Sequence, residues 1–380
     1  MKFIYLFFYT NTFINFLSFN LSPFLIYLIS FFLVLMLCAI INQTPLNGEG
    51  VYVLRQCLQV IIVGALFQRV LCNSTVSEVK KSKKFFIIVL TLPSLVILLQ
   101  SIDLFGLKPL MDKLYSPVYF LETLEQRAGY RVTSVFKDSF IASVYLIVAY
   151  STILNIHLVT KSSKADGVIG LLALFVIFVS AFKVGRTALV FIPLVTLIVL
   201  YINRQTVGII KTINYTALLI LILITSVVLF AVFTSSNSES FEWVSELLNI
   251  FNPEGFSSYN VMHDMNEDVL AYVYNNPYIL LLPLNYTPDS YFQAHMYSDN
   301  FYMQELLRYG IYGLASYFLF LYSLLKHNYI MGVWFNLVII VLLALLNYKG
   351  GNTFLLAKAS LIYPFVFLYS HYFYREKEHG

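Results

Sequence analysis

Residues 138–202 read "DSFIASVYLIVAYSTILNIHLVTKSSKADGVIGLLALFVIFVSAFKVGRTALVFIPLVTLIVLYI". Three apolar runs, 138–156, 168–183 and 186–202, follow one another with only "TKSSKAD" and "KVGR" as polar breaks. Each approaches the ~20 residues with which a helix crosses ~30 Å of hydrocarbon. Outward from this stretch the pattern repeats. Further runs lie near 23–41, 50–72, 84–102, 212–234, 301–325, 329–347 and 353–373, separated by polar or turn-forming residues. Residues 3–19 are interrupted by Asn11 and Asn15 and closed by Asn20, Ser22 and Pro23, so they form either a further span or a surface helix. The composition agrees with these runs. At 59% hydrophobic and 12% charged residues, with mean hydropathy +0.76 over 380 residues, the chain carries more apolar surface than a water-soluble core of this length could hide. The expected fold is an all-α polytopic integral membrane protein of about 10–11 transmembrane helices, forming one membrane domain over 1–380.

The basic residues orient the chain. Lys80, Lys81, Lys83 and Lys84, then Lys161 and Lys164, then Arg204 and Lys211, then Lys326, and finally Arg375 and Lys377 fall on one side if the runs alternate. By the positive-inside rule that side, with the C-terminus, is cytoplasmic. The opposite side receives 42–49, which has no lysine or arginine, and two longer segments, 103–137 and 235–300. The segment between the spans ending near 234 and starting near 301 is a long acidic outer loop. It holds Glu239, Glu242, Glu246, Glu254, Asp264, Glu267, Asp268, Asp289 and Asp299 and no lysine or arginine. Within it "FEWVSELLNIF" (241–251) sets Phe241, Val244, Leu247, Leu248 and Phe251 on one helical face, and Pro277 and Pro283 bracket an apolar stretch too short to span. Amphipathic helices lying over the outer face are expected there.

Several classes of function are excluded or disfavoured. The formal charge of +4 is small and dispersed, which leaves no footprint for nucleic acid. Cys38, Cys57 and Cys72 are odd in number and lie in or beside apolar runs, so they are read as packing thiols. No cleavable leader or lipobox is expected at the N-terminus. There is no glycine-rich phosphate loop, no Gly-x-Ser-x-Gly elbow and no Cys/His ligand spacing, and "HDMNED" (263–268) is read as a solvated helix face. No metal and no cofactor is expected.

The outer segment 103–137 departs from the charge rule. It carries Lys108, Lys113, Arg127, Arg131 and Lys137, and Lys183 and Arg186 add two more basic residues between adjacent spans. Basic residues on the side where they should be scarce point to an anionic ligand. Arg186 opens a span, where the helix N-terminus adds partial positive charge and free N–H donors, and arginine suits bidentate contact with phosphate oxygens. The alternative for any one of them is snorkelling to the headgroups.

The segments "YRVTSVFKDSFIASVYLIVAYS" (130–151), "KVGRTALVFIPLVTLIVLY" (183–201) and "DNFYMQELLRYGIYGLASYFLFLY" (299–322), in this order around one long outer loop, resemble the Wzy-type repeat-unit polymerases and the related O-antigen ligases. The resemblance covers roughly 120–325. It implies a GT-C-like membrane fold in the bacterial cytoplasmic membrane and action at its outer face. The implied donor and acceptor are glycans carried by undecaprenyl pyrophosphate, with the bilayer, a flippase and a chain-length regulator as further partners. Many relatives open the last motif with His followed by Asn, Ser or Gln, then nine residues, then Gly-x-x-Gly. Here Asn300, nine residues and Gly310-Ile-Tyr-Gly313 keep that spacing, and Asp299 stands in the histidine's place. A carboxylate can accept a proton from a sugar hydroxyl as an imidazole does.

On this resemblance Asp299, Arg186 and Arg131 are the catalytic candidates, with Arg127, Lys137, Lys183, His295, Asn300 and Arg308 contacting substrate. Gly310 and Gly313 are expected to allow close helix packing. Asp299 has a second reading as the N-cap of the following span, a role that Ser298 or Asn300 can also fill. The chain departs from the family in three places. The outer loop has neither the family's arginine nor its Gly-x-Gly, Arg308 stands where an acidic residue is frequent, and His295 is a substitute for the missing histidine. The expected reaction is glycan polymerisation with release of lipid pyrophosphate. Ligation of the glycan to lipid A core is the first alternative, and transport of a lipid-linked oligosaccharide or anionic solute is the second.

Overall fold

A computed structural model describes residues 22–42, 48–74, 76–107, 109–110, 136, 139–159, 164–204, 257–281, 300–350, 352–355, 362–367 and 369–370. Among the described residues there are helices and no strand. In chain order they are α1 (Ser22–Asn42), α2 (Gly48–Asn73), α3 (Val76–Ser101), α4 (Ser139–Val159), α5 (Lys164–Val184), α6 (Arg186–Ile202), α7 (Ser257–Asn275), α8 (Phe301–Ile330) and α9 (Trp334–Leu346). Five contain segments long and apolar enough to cross a membrane: Ser22–Ile41, Gly50–Val70, Ser82–Ser101, Ser139–Val159 and Asp166–Val184. Thr187–Ile202 and Trp334–Leu346 are shorter apolar helices. This is the make-up of a polytopic membrane protein. The runs at 3–19 and 212–234, and the amphipathic 241–251, lie outside the described residues.

The helices form two compact units, one of Val76–Ser257 and one of Met1–Thr75 with Ser258–Gly380. In the first, α4 is the central helix and α3, α5 and α6 pack around it. Small buried residues, Ala142, Ser143, Ala149 and Ser151, let neighbours approach α4 closely. Its hydroxyls bond back to their own helix, Ser143 Oγ to Ser139 O at 2.8 Å and Thr152 Oγ1 to Val148 O at 2.7 Å, which satisfies them without a partner from outside. Three polar contacts tie the neighbours in. Tyr145 Oη donates to Leu90 O of α3 at 3.1 Å, Ser180 Oγ of α5 lies 2.9 Å from Ser94 O of α3, and Asn203 Nδ2 at the end of α6 donates to Asn155 Oδ1 of α4 at 3.0 Å. The lysines at 80–84, expected in a connection, instead belong to α3, which starts at Val76. Lysine is a good helix former, and Lys84 Nζ meets Asp166 Oδ1 of α5 at 2.9 Å, so the helix continues past the apolar run.

In the second unit α1 packs antiparallel on α8. Phe24 meets Phe320 with ring centroids 5.1 Å apart, the Ser30 and Ser316 hydroxyls are 2.6 Å apart, and Phe31 meets Tyr309 at 5.1 Å. The Cys57 thiol of α2 donates to Phe24 O of α1 at 3.0 Å, and Cys38 and Cys57 are buried free thiols, as packing residues are. α8 and α9 form a hairpin turned at Met331–Val333, where Gly332 has φ 68°. Inside it Asn336 Nδ2 donates to Asn328 Oδ1 at 2.9 Å. In the run expected at 353–373 the described residues are a 3-10 turn, Thr353–Leu355, and helical residues 362–367 and 369–370.

Candidate functional site

The corner that begins α8 holds the motif that the sequence singles out. Asn300 is the N-cap, with extended backbone (φ −71°, ψ 115°), and its Oδ1 accepts from Tyr302 N at 3.0 Å. This satisfies one of the donors that a helix start leaves open. Asn300 is 1% exposed, so the capping side chain is enclosed by the fold. Phe301 N donates to Asn347 O at 3.0 Å, which fastens the start of α8 to the end of α9. Asn347 is itself fully buried and connects several segments. Its Nδ2 donates to Tyr317 Oη, and its Oδ1 accepts from Thr353 N at 2.8 Å. Tyr302 Oη donates to Ala344 O at 2.7 Å, and Tyr363 Oη donates to Thr353 O at 2.5 Å. The corner is therefore a hydrogen-bonded junction between α8, α9 and the Thr353–Leu355 turn.

The two glycines sit at a break in α8. Gly310 has φ 61°, ψ −154°, a region open essentially to glycine alone, and it divides α8 into Phe301–Tyr309 and a second segment from Ile311. At Gly313 the nearest atoms belong to its own helix. A Cβ there would lie 2.6 Å from Tyr309 Cβ and 3.2 Å from Glu305 Oε2. In an unbroken helix residues 305 and 313 would be separated by ~12 Å along the axis. The break sets the two segments side by side.

Glu305 is not among the residues that the sequence singles out. It is 4% exposed and is the one buried carboxylate among the described residues. The signal that could have found it is an acid followed by Leu306, Leu307 and a long apolar run, since ionisable groups at membrane depth are expensive to keep.

The long loop contributes a cover. In α7, Val269 and Val273 are buried against Leu307 of α8, with Tyr272, Met303 and Leu306 around them. Asp264, Glu267 and Asp268 are exposed on the other face, as the solvated reading of "HDMNED" expects. On the α9 side an apolar groove of about 380 Å³ starts at Tyr302 and Tyr348 and continues over Leu321, Leu325, Val341 and Leu345.

The other candidates divide between the units. Arg308 lies on the first segment of α8, partly buried, and shares that segment with the Asn300 corner. Lys183 and Arg186 belong to the other unit, where Lys183 is in the last turn of α5, Gly185 alone separates the helices, and Arg186 is the first residue of α6. Lys183 complements the helix dipole at its C-terminus, whereas a cation at the first position of α6 opposes it. Helix stability therefore explains Lys183 and does not explain Arg186. Arg127, Arg131, Lys137, His295 and Asp299 lie outside the described residues. No protein-family model, no curated protein and no solved structure matches the chain.

Proposed function

We propose that this protein polymerises undecaprenyl pyrophosphate-linked oligosaccharide repeat units into an envelope polysaccharide, O-antigen or capsule, at the outer face of the bacterial cytoplasmic membrane. The observation that carries the reading is the α8 corner. The motif spacing from Asn300 to Gly310 coincides with two built features, a buried cap and a glycine-only helix break, and this supports the reading. The groove beside Tyr302, almost wholly apolar, suits a length of lipid chain beside that corner.

In this reaction a hydroxyl of the acceptor repeat unit attacks the anomeric carbon of the donor glycan. The new glycosidic bond forms as the bond from that carbon to the pyrophosphate oxygen breaks, and lipid pyrophosphate leaves with the electron pair. Asp299 takes the hydroxyl proton. Arg186 and Arg131 stabilise charge growing on the departing phosphate, more in the transition state than in the ground state. Arg127, Lys137, Lys183, Arg308 and His295 complete substrate contact, whereas Asn300, expected to join them, has its side chain enclosed as the cap of α8. The activated bond is already in the donor, so the scheme uses no nucleotide.

The test is purified protein in proteoliposomes with lipid-linked repeat units. Longer glycans still attached to lipid pyrophosphate are the expected product. Transfer to lipid A core would replace polymerase by ligase. Flux of the lipid-linked unit without new bonds would replace both by transport.

A further inference from the structure

α2 carries a charge inside its apolar span. Arg55 lies within Gly50–Val70, the segment long and apolar enough to cross a membrane, and away from the connections whose charges orient the chain. Two contacts with α1 set its level. Gly50 is packed on the Leu35 side chain, and two residues past Arg55 the Cys57 thiol donates to Phe24 O at 3.0 Å. Phe24 in turn meets Phe320 of α8, which stands between the Gly310 break and Lys326. At ~1.5 Å per residue, Arg55 is roughly 12 Å from the level of either, farther than an arginine stem reaches. Snorkelling therefore explains Arg69, next to the end of the same span, and does not explain Arg55.

The surroundings of Arg55 point to a ligand. It is exposed, on the face of α2 away from the buried Cys57 and Val60. Its guanidinium lies 5.1 Å over the Tyr52 ring, and among the described residues no carboxylate pairs with it. A ring face holds the cation and leaves the N–H edge of the guanidinium free for an acceptor. The same exposed stripe continues at helical spacing through Gln59, Ile62, Leu66 and Val70. One end of the stripe is thus cationic and hydrogen-bonding and the rest is hydrocarbon, which matches the head and chain of an amphiphile. Charges kept among hydrocarbon are costly and mark ligand paths.

We propose that Arg55 centres a binding site for a phosphate-bearing lipid. The guanidinium, braced on Tyr52, takes two phosphate oxygens side by side, Gln59 adds an amide donor one turn on, and the lipid chain lies along Ile62, Leu66 and Val70. The site does not depend on the polymerase reading. Where that reading holds, the lipid is the undecaprenyl carrier; the other source of the same chemistry is a phospholipid of the bilayer.

The experiment reads binding without turnover, so its failure is separate from a failure of the polymerase assay. The full chain in detergent is titrated with undecaprenyl phosphate and with undecaprenol, which lacks the phosphate. Bound lipid is counted by native mass spectrometry, and Tm is measured on the same samples. Undecaprenyl phosphate is expected to bind, and undecaprenol to bind far more weakly. Arg55→Met should weaken undecaprenyl phosphate on the order of 10–100-fold and Arg55→Lys several-fold, with Tm held because the charge lies on an exposed face. Arg69→Met should leave binding unchanged. Displacement by an equal amount of phosphatidylglycerol assigns the site to a bilayer phospholipid, and no displacement assigns it to the carrier; Arg55 governs either. Wild-type binding by Arg55→Met would overturn the proposal, as would undecaprenol bound as tightly as undecaprenyl phosphate, or an equal loss in Arg69→Met. If Arg55→Met lowers Tm, Arg55→Lys decides, since it keeps the charge. Full binding with lysine then overturns the bidentate site, and a several-fold loss at wild-type Tm supports it.

Discussion

Asn300 Oδ1 on Tyr302 N at 3.0 Å separates two roles that the sequence superposes at Ser298–Asn300. The capping position is occupied by Asn300, so a substitution at Asp299 tests chemistry with little confusion from helix stability. Asp299→Asn removes the only proton acceptor of that side chain at neutral pH and keeps its size. The expected outcome is normal insertion and Tm, with chain extension lowered ~10²–10⁴-fold so that single repeat units stay on the lipid. Polymer of normal length and amount from Asp299→Asn would move the base elsewhere, with His295 the next residue to change. Asn300→Ala should behave in the opposite way, losing about 0.5–2 kcal/mol of stability with the cap and lowering Tm. Arg186 admits an equally direct test. A cation at the first position of α6 works against the helix dipole, so helix stability gives no reason for it. If Arg186 holds a pyrophosphate bidentately, Arg186→Lys loses most polymer although the charge is kept. A snorkelling arginine would tolerate lysine, and normal polymer from Arg186→Lys at normal expression removes it from the site.

At the scale of the element, α8 decides how the residues are presented. Gly310→Ala places a Cβ in a backbone region that costs on the order of 1–3 kcal/mol for residues other than glycine. The cheaper response is to straighten the helix, which takes Glu305 away from Gly313. The expected outcome is lower Tm together with altered maleimide reactivity at Ser298→Cys, read on the same preparations. Unchanged labelling with full Tm would mean that the break does not set the corner. Much at this scale was legible in the sequence. The apolar runs at 23–41, 50–72 and 186–202 match α1, α2 and α6 closely, because length and apolarity are what a bilayer selects. The start of α3 was not legible, since four lysines read as a connection until Asp166 supplies Lys84 with a partner from α5. The break was also hidden. Gly-x-x-Gly is the same string whether it admits a neighbouring helix or its own folded-back turn, and only the φ of Gly310 distinguishes them. Asn347 gave no signal at all, because its four partners come together only when α8, α9 and the 353–355 turn are assembled.

For the whole molecule the question is which end of each unit faces out. In the unit that holds α8, the bond from Phe301 N to Asn347 O places the start of α8 and the end of α9 at one end. The antiparallel packing of α1 on α8 brings Asn42 toward that end and leaves Lys326 toward the other. In the other unit, Lys84 and Asp166 share one end through their 2.9 Å contact, and Lys183 and Arg186 flank Gly185 at the far end of α5. These relations are internal to each unit, so one sided observation in each fixes its helices. The positive-inside rule predicts a cytoplasmic side for Lys326, for Lys84 and for the C-terminus, and with it an outer side for the Asn300 corner in one unit and for Arg186 in the other. The measurement is single-cysteine accessibility in a chain whose three cysteines are replaced by serine. Ser236→Cys, Asn252→Cys and Ser290→Cys should react with an impermeant reagent added outside intact cells. Ser163→Cys and Glu378→Cys should react only after the membrane is opened. Outer labelling of 163 with inner labelling of 236 would invert the chain and place the corner in the cytoplasm. Lipid-linked repeat units are joined at the outer face, so that result would remove the polymerase reading while leaving the helical units and the Gly310 break as they stand.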